Sequence, residues 1–296
     1  MGFLDELQSL FSGNRVNISK RFALLKEAIS GTMSKFYMAR DLRNDHVVGL
    51  KILDPKKTAA FESRFKGIQK PSEGEIAAQL DHPRIVKTLE YGLTTDGSPY
   101  LVMEFLEGAG VNSLIIGRDK ELQRRRVKFI RQAAEAIAAV HAAGFIHRDV
   151  CPRNLLLCGD GENLKLIDFG LTIPATKPFM QPGNRTGTPN YMAPELVRRQ
   201  PTDQRLDVFA FGVTAYEMYT FELPWLSGDT GLVALTHAAP PTDIRERSGD
   251  INPTLADAIH SCIEPEAGKR CPSMEEFLEM IQDVPDEESG DEGMRG

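Results

Sequence analysis

Several features that would assign this chain to a specialised class are scarce or missing. Only four cysteines occur in 296 residues, Cys151, Cys158, Cys262 and Cys271, and no two of them form a C-x-x-C pair. A chain of this length can bury a substantial core without disulfide help. No signal-peptide pattern precedes the cysteines, so the expected compartment is a reducing cytoplasm. No stretch of about 18 apolar residues occurs, and no transmembrane segment is expected. Positive charge is also short. The formal net charge is −7, the wrong sign for the footprint of a nucleic-acid binder, and no nucleic-acid partner is expected. There is no internal repeat.

What is present is ordinary for a folded domain: 41% hydrophobic and 26% charged residues, in a length suited to one large domain or two lobes. The acidity is local. Asp283–Gly296 carries six acids and one Arg, which leaves only −2 for everything before it. Residues 284–296, rich in Asp, Glu and Gly, are expected to be a disordered acidic tail. Residues 1–17 form an accessory segment at the other end. Its start, Met1-Gly2-Phe3-Leu4-Asp5-Glu6, approaches an N-myristoylation pattern, but Glu6 stands where Ser or Thr is wanted. The apolar residues Phe3, Leu4, Leu7, Leu10 and Phe11 favour a short amphipathic helix instead.

Between the flanks the texture changes once. From about residue 18 to 103 the pattern predicts strands with one helix. Val47, Val48, Leu50 and Ile52 make one strand-like run and Tyr100–Met103 another. Residues 73–80 read as the helix, ending before Asp81-His82-Pro83. A connector at 104–107 follows. Residues 108–283 are predicted to be mainly helical. Val127, Ile130, Ala134, Ile137 and Val140 recur at helical spacing until Gly144. Leu206–Tyr219 is apolar nearly all round, as a buried helix would be. Ser273 followed by Glu276 predicts a capped helix through Ile281. The expected fold class is α+β, with a small sheet-rich lobe and a larger helical one.

Three motifs occur in order: His147-Arg148-Asp149-Val150-Cys151-Pro152-Arg153-Asn154, then Asp168-Phe169-Gly170, then Gly187-Thr188-Pro189 running into Ala193-Pro194-Glu195. Val48-Gly49-Leu50-Lys51 lies upstream. Together they resemble the signature set of the protein kinase superfamily, of the eukaryotic-like (Hanks-type) serine/threonine kind, over about residues 21–282. The resemblance implies the two-lobed kinase fold and transfer of the γ-phosphate of ATP to a protein Ser or Thr hydroxyl. Phosphoryl transfer is mostly positioning and charge neutralisation. By resemblance, Asp149 is the base that orients the substrate hydroxyl, Asp168 and Asn154 hold Mg²⁺, and Lys51 grips the phosphates. The helix glutamate paired with Lys51 is expected to be Glu73, nine residues before His82, with Glu75 the competing acid. Met103 falls at the gatekeeper position. The backbones of Glu104 and Leu106 would meet adenine, and Leu156 would line the nucleotide from the larger lobe. Thr188 matches the residue that contacts the catalytic aspartate in serine/threonine kinases. Asp207 and Arg270 match structural residues, Arg270 as the partner of Glu195. Thr186 is the favoured regulatory phosphosite among Thr172, Thr176, Thr186 and Thr188. Autophosphorylation could bring two copies of the chain together as a homodimer.

The pattern breaks in three places. Ile29, Gly31 and Ser34 stand where three glycines belong, so close approach of the backbone to the phosphates is less assured. Phe36 and Gly49 replace the usual Val and Ala over adenine. A large residue beside a small one conserves volume, so they read as one compensated change. Cys151 replaces a phosphate-contacting lysine, and a thiol supplies no permanent charge. Arg153 is the expected substitute, and Cys151 reads as an inert thiol. Two rival functions follow. One is a pseudokinase, a nucleotide-binding or interaction scaffold, supported by the degraded loop and Cys151. The other is a small-molecule kinase, disfavoured by Gly187–Glu195 and the Asp207 and Arg270 positions.

Overall fold

The computed structural model of the chain describes residues 15–30, 33–65, 67–182, 185–225, 237 and 239–287. The apolar positions Phe3–Phe11, Gly31 of the degraded loop, and the acidic residues from Glu288 onward lie outside the described residues. Two units emerge. The first comprises residues up to Asp81 together with Val86–Leu106, and the second His82–Ile85 and the chain from Glu107.

The first unit is built on one antiparallel sheet. Helix α1 (Ile18–Arg21) leads into β1 (Phe22–Ser30), β2 (Ser34–Asp41) and β3 (His46–Leu53). Helices α2 (Pro55–Glu62) and α3 (Glu73–Ala77) follow, then β4 (Thr88–Leu93) and β5 (Pro99–Glu104). The strand order is β1-β2-β3-β5-β4. Three helical segments therefore stand where one was expected. The unread signal for α2 is Asp54-Pro55. The Asp54 carboxylate accepts from the amides of Lys56 and Lys57, and Pro55 occupies the first turn, where its missing N–H costs nothing. Helix α3 is shorter than the expected 73–80: it closes at Ala77, and Gln79 and Leu80 continue only as turns.

Side chains alternate across a sheet, so the register sorts its residues onto two faces. Phe22, Ala39, Val48, Leu50, Tyr100 and Val102 form one buried cluster, the core of this unit. On the opposite parity Phe36 pairs with Lys51, Lys51 with Leu101, and Gly49 with Met103. Ile29 stands opposite Phe36 in the same register. Four unit-one positions singled out by sequence thus share one face of the sheet in two adjacent rows, Phe36 with Lys51 and Gly49 with Met103, with Ile29 in register beside Phe36. An ion network holds the far corner: Arg21 reaches Asp41 at 2.9 Å and Glu90 at 2.5 Å, and the Tyr100 hydroxyl donates to Glu90 at 2.6 Å.

The second unit contains β6 (Gly108–Gly110) and helices α4 (Val111–Ile116), α5 (Lys120–Arg124) and α6 (Arg126–Ala142). Strands β7 (Phe145–Ile146), β8 (Leu155–Cys158), β9 (Leu164–Leu166) and β10 (Ile173–Pro174) come next. Helices α7 (Pro194–Val197), α8 (Arg205–Thr220), α9 (Ile244–Arg247), α10 (Pro253–Cys262) and α11 (Met274–Met280) complete it. Strands β6, β8 and β9 make one small sheet, and β7 pairs with β10. The apolar stripe of α6 is buried, and Gly144 ends the chain's helical course at φ 82°, a conformation that costs glycine little. Helix α8 is buried on almost every side, including Asp207 at 0% exposure. Ser273 caps α11 by accepting from the Glu276 amide.

Two expected boundaries shift. His82–Ile85 belongs to the second unit: the Leu166 amide donates to the Arg84 carbonyl, and the Arg84 side chain pairs with Glu135 at 3.0 Å. The acidic tail does not start free at 284. Val284 is buried, and Asp286 pairs with Arg131 at 2.9 Å while its carbonyl accepts from the Lys128 amide. Apolar burial and these bonds hold the chain to α6 through residue 286.

Candidate active site

In the first unit the central feature is a buried ion pair. Lys51 lies on β3 and Glu73 on α3, and their side chains meet at 2.5 Å with both residues 7% exposed. Glu75 is used differently. Its carboxylate accepts from the Ser72 amide at 2.6 Å while its own amide donates to Ser72 Oγ, a reciprocal cap of α3. The two acids read as competitors in sequence thus divide between the ion pair and the cap. The cap also explains why the helix starts here: Ser72 satisfies an otherwise orphan donor.

Phe36 and Gly49 are diagonal neighbours on β2 and β3. A Cβ built on Gly49 would stand 2.7 Å from Phe36 Cζ and 3.0 Å from Met103 Cγ, closer than van der Waals contact permits. The ring therefore occupies the volume that an alanine side chain would need. Met103 is 9% exposed. The Glu104 amide donates to the Lys87 carbonyl, and the Glu104 carboxylate accepts from the Lys87 amide. Leu106 is half-buried. Ser34 opens β2.

In the second unit the chemistry gathers on the loop after β7. Asp149 accepts four hydrogen bonds from three donors: Asn154 Nδ2 at 3.0 Å on Oδ2, the Thr188 amide at 3.0 Å and Thr188 Oγ1 at 2.8 Å on Oδ1, while Asn154 Nδ2 also reaches the Asp149 backbone carbonyl at 2.7 Å. Three of these fall on the carboxylate itself, which is thereby aimed and held. Thr188 Oγ1 in turn accepts from the Arg153 guanidinium at 2.9 Å. Arg153 is exposed, so its charge stands two hydrogen bonds from Asp149 on the solvent side. Gly187 makes the approach possible. Its φ is 128°, and a Cβ there would strike the Arg148 carbonyl at 2.8 Å.

The loop's own backbone is strained, with Arg148 at φ 70°, and Asp207 restrains it from beneath. Its carboxylate accepts from the His147 amide at 2.6 Å, the Arg148 amide at 2.8 Å and His141 Nε2 at 3.0 Å. Burial alone would raise this carboxyl, but the His141 hydrogen bond and charge, with the backbone donors, hold it below its ordinary value. Sequence reading missed His141. The available signal was a histidine beside Val140, on the apolar stripe of α6, where a polar group requires a buried partner.

Asp168 also has positive φ, 68°, and is exposed, with Oδ1 accepting from the Gly170 amide at 3.0 Å. Because Asn154 spends its amide nitrogen on Asp149, its carbonyl oxygen is the free end. Asn154 and Asp168 therefore offer hard oxygen donors of the kind Mg²⁺ takes. Among the described residues no group of three or more His, Cys, Asp or Glu surrounds one point, so further ligands of a cation would come from substrate and water. Leu156 is half-buried, on the opposite side of β8 from the buried Leu155 and Leu157.

Cys151 is 1% exposed, and burial together with the neighbouring Asp149 charge pushes its thiol up. That environment disfavours a reactive thiolate. The threonines between Asp168 and Glu195, the activation segment by the resemblance, differ sharply. Thr172 is fully buried, Thr176 is exposed, and Thr186 Oγ1 is buried without a hydrogen-bond partner among the described residues. Phosphate could reach Thr186 only after the segment opens. Glu195 is locked by Arg270 through two bonds of 2.7 and 3.0 Å.

The family model described as the protein kinase domain matches residues 24–281. Curated relatives include the serine/threonine-protein kinase PknL of Mycobacterium tuberculosis, 33% identical over 88% of this chain and 63% of its own length. The serine/threonine-protein kinase pkn3 of Myxococcus xanthus is 30% identical over 86% of this chain and 48% of its own. A hormonally up-regulated neu tumor-associated kinase homolog of Xenopus tropicalis is 32% identical over 84% of this chain and 35% of its own. The chain thus spans about a third to two thirds of the length of these relatives.

Proposed function

Because this chain belongs to the protein kinase domain family, we propose that it is a serine/threonine protein kinase, transferring the γ-phosphate of ATP to a protein Ser or Thr hydroxyl. The observation that carries this reading is the Asp149 carboxylate, aimed by Asn154 and Thr188 on one loop. A carboxylate so held can orient an incoming hydroxyl and take its proton. When bound, Mg²⁺ and ATP supply a phosphoryl group whose charge is partly neutralised before transfer. Asn154 Oδ1 and the Asp168 carboxylate would hold the cation. In the first unit Lys51, kept in place by Glu73, would hold phosphate oxygens. Phe36, Gly49 and Met103 would face adenine, with the carbonyl of Glu104 and the amide of Leu106 as its hydrogen-bonding partners. Ile29 and Gly31 would cover the phosphates, and Leu156 of the second unit would offer the nucleotide an apolar contact. Among the described residues no helix is long and apolar enough to cross a membrane. With its four free thiols, we place the protein in the cytoplasm, and autophosphorylation would proceed between two copies.

Relatives named as serine/threonine kinases and the Thr188–Asp149 contact favour serine or threonine over tyrosine acceptors. The test is phosphoamino-acid analysis of a mixed protein substrate labelled from γ-labelled ATP. Phosphoserine and phosphothreonine are expected. Label on tyrosine alone would reverse the assignment, and no label would remove it.

Two further results follow from the departures. Gly49→Ala forces the Phe36 ring out of its place, an overpacking cost of about 1–3 kcal/mol. ATP should bind roughly tenfold more weakly, because about 1.4 kcal/mol is a factor of ten. Phe36→Val combined with Gly49→Ala should restore binding, as titration with ATP would show. Equal affinity for the single variant and wild type would end the idea of a compensated pair. Arg153→Ala should lower kcat by roughly tenfold, less than the roughly 10²- to 10³-fold cost of losing a preorganised donor in a water-excluded site, because Arg153 is exposed. A kcat within about twofold of wild type would return Arg153 to a merely solvated side chain.

A further inference from the structure

The activation segment carries the opposite charge to the rest of the chain. Between Gly170 and Thr202 the sequence holds four cations, Lys177, Arg185, Arg198 and Arg199, and a single acid, Glu195. The chain as a whole carries −7. Glu195 does not offset these cations, since Arg270 consumes it in a buried pair. All four cations are exposed, and among the described residues none has an ion-pair partner. Several cations elsewhere in this unit do meet acids: Arg125 and Lys128 with Glu162, Arg131 with Asp286, Arg205 with Asp203, and Arg245 with Asp257. Four unmatched cations, with no open acid among them, are thus concentrated in this one segment.

The segment is also folded towards Asp149. Thr188, three residues after Arg185, donates to the Asp149 carboxylate. Arg198 closes the turn of α7, with its amide on the Pro194 carbonyl, and the Thr202 amide returns to the Met180 carbonyl. Arg153 adds a fifth exposed cation through Thr188. Glu217, bonded to this segment through Tyr191, is half-buried and accepts from the Tyr191 hydroxyl at 2.5 Å, so it presents no open carboxylate to a basic substrate.

Resting on the kinase reading above, we propose that the acceptor hydroxyls of this enzyme lie in acidic sequence, with Asp or Glu on both sides. Uncompensated cations around the acceptor position attract such a chain and repel a basic one, and this discrimination weakens with salt. The protein's own sequence contains one such acceptor. Ser289 is the single hydroxyl residue of Asp283–Gly296, flanked by Asp286, Glu287 and Glu288 before it and Asp291 and Glu292 after it.

The experiment uses the full chain and three synthetic peptides: Asp283–Gly296 as it stands, the same peptide with its six acids replaced by Gln, and with them replaced by Lys. The expected order of kcat/KM is acidic, then Gln, then Lys, with the acidic peptide at least about tenfold above the Lys peptide at low salt, as several exposed charge pairs together allow. Raising the ionic strength should shrink that ratio. In the variant Arg185→Glu/Arg198→Glu/Arg199→Glu the ratio should collapse or invert, chiefly through KM. Taking the ratio cancels any general loss of activity in the variant. Equal use of the acidic and Lys peptides by wild type, or an unchanged ratio in the triple variant, overturns the proposal. Transfer to none of the peptides also overturns it. The kinase reading is decided separately, by phosphate incorporation into mixed protein substrate.

Discussion

Asp149→Asn is expected to lower kcat by roughly 10²- to 10⁴-fold, the range for loss of a positioned general base. The KM for ATP should change little, since Asp149 is proposed to act on the acceptor hydroxyl and not on the nucleotide. Two effects add. The amide has no basicity at neutral pH, so it cannot take the proton. It also upsets the local hydrogen bonds. Asp149 receives donors on both oxygens, from Thr188 on Oδ1 and from Asn154 Nδ2 on Oδ2. An asparagine here must turn its NH₂ towards one of them, setting donor against donor, and either Thr188 or Asn154 loses its partner. A small stability loss of about 1 kcal/mol should accompany the kinetic effect. Steady-state kinetics with saturating ATP, beside a thermal melt, separate the two. A variant with kcat within about tenfold of wild type would remove Asp149 from the role of base.

The largest effect on stability is expected at Arg270. Its side chain is 0% exposed, and its guanidinium donates to both Glu195 oxygens, to the Arg205 carbonyl at 2.7 Å and to the Glu264 carbonyl at 3.0 Å, while lying over the Phe209 ring at 4.9 Å. Arg270→Met fills much of the volume but leaves Glu195 as a buried, unpaired charge. Breaking a buried pair from one side costs about 3–5 kcal/mol. For a unit of this size that is a fall in Tm of roughly 10 °C. The double variant Glu195→Met/Arg270→Met should regain much of the loss, because replacing both ions by apolar groups is often neutral. If Arg270→Met melts within about 2 °C of wild type, the charge at Glu195 is relieved in some other way. Thr188 lies seven residues before Glu195 in the same segment. The single variant should therefore lose activity below its melting transition as well.

Much of the architecture was legible because it follows from period and punctuation. The buried stripe of α6 and the all-round apolarity of α8 are patterns that only a core-facing and a central helix satisfy. The strand run at Val47–Ile52 carries its alternation plainly. Short elements were harder. Helix α2 was overlooked because it is mostly exposed and buries only Phe61, so no apolar period announces it. Only Asp54-Pro55 marks its start. The end of α3 was overread by three residues, since propensity continues past Ala77 while the backbone has already tightened into turns.

The candidate site divides in the same way. Glu73 could be separated from Glu75 by its distance from Asp81-His82-Pro83, and the capping role of Glu75 could also have been read from Ser72 three residues earlier. The Phe36–Gly49 relation was suggested by volume alone, and the strand register then makes them diagonal neighbours. The packing of Val284 and Asp286 was not legible, because an acidic run reads as solvated unless one knows that Arg131 waits opposite. The unmatched cations of the activation segment were equally hidden. Charges can be counted in a sequence, but which of them find partners depends on the fold.

The central claim is that the chain itself transfers phosphate, with Asp149 at the centre of the act. The most direct test is to incubate purified protein with Mg²⁺ and ATP and follow intact mass beside the Asp149→Asn variant. The account predicts phosphate gained by the wild type alone, with peptide mapping then identifying the acceptor. Nucleotide bound but no phosphate gained, on the chain itself or on a generic protein substrate, would contradict it and leave a nucleotide-binding scaffold in place of an enzyme.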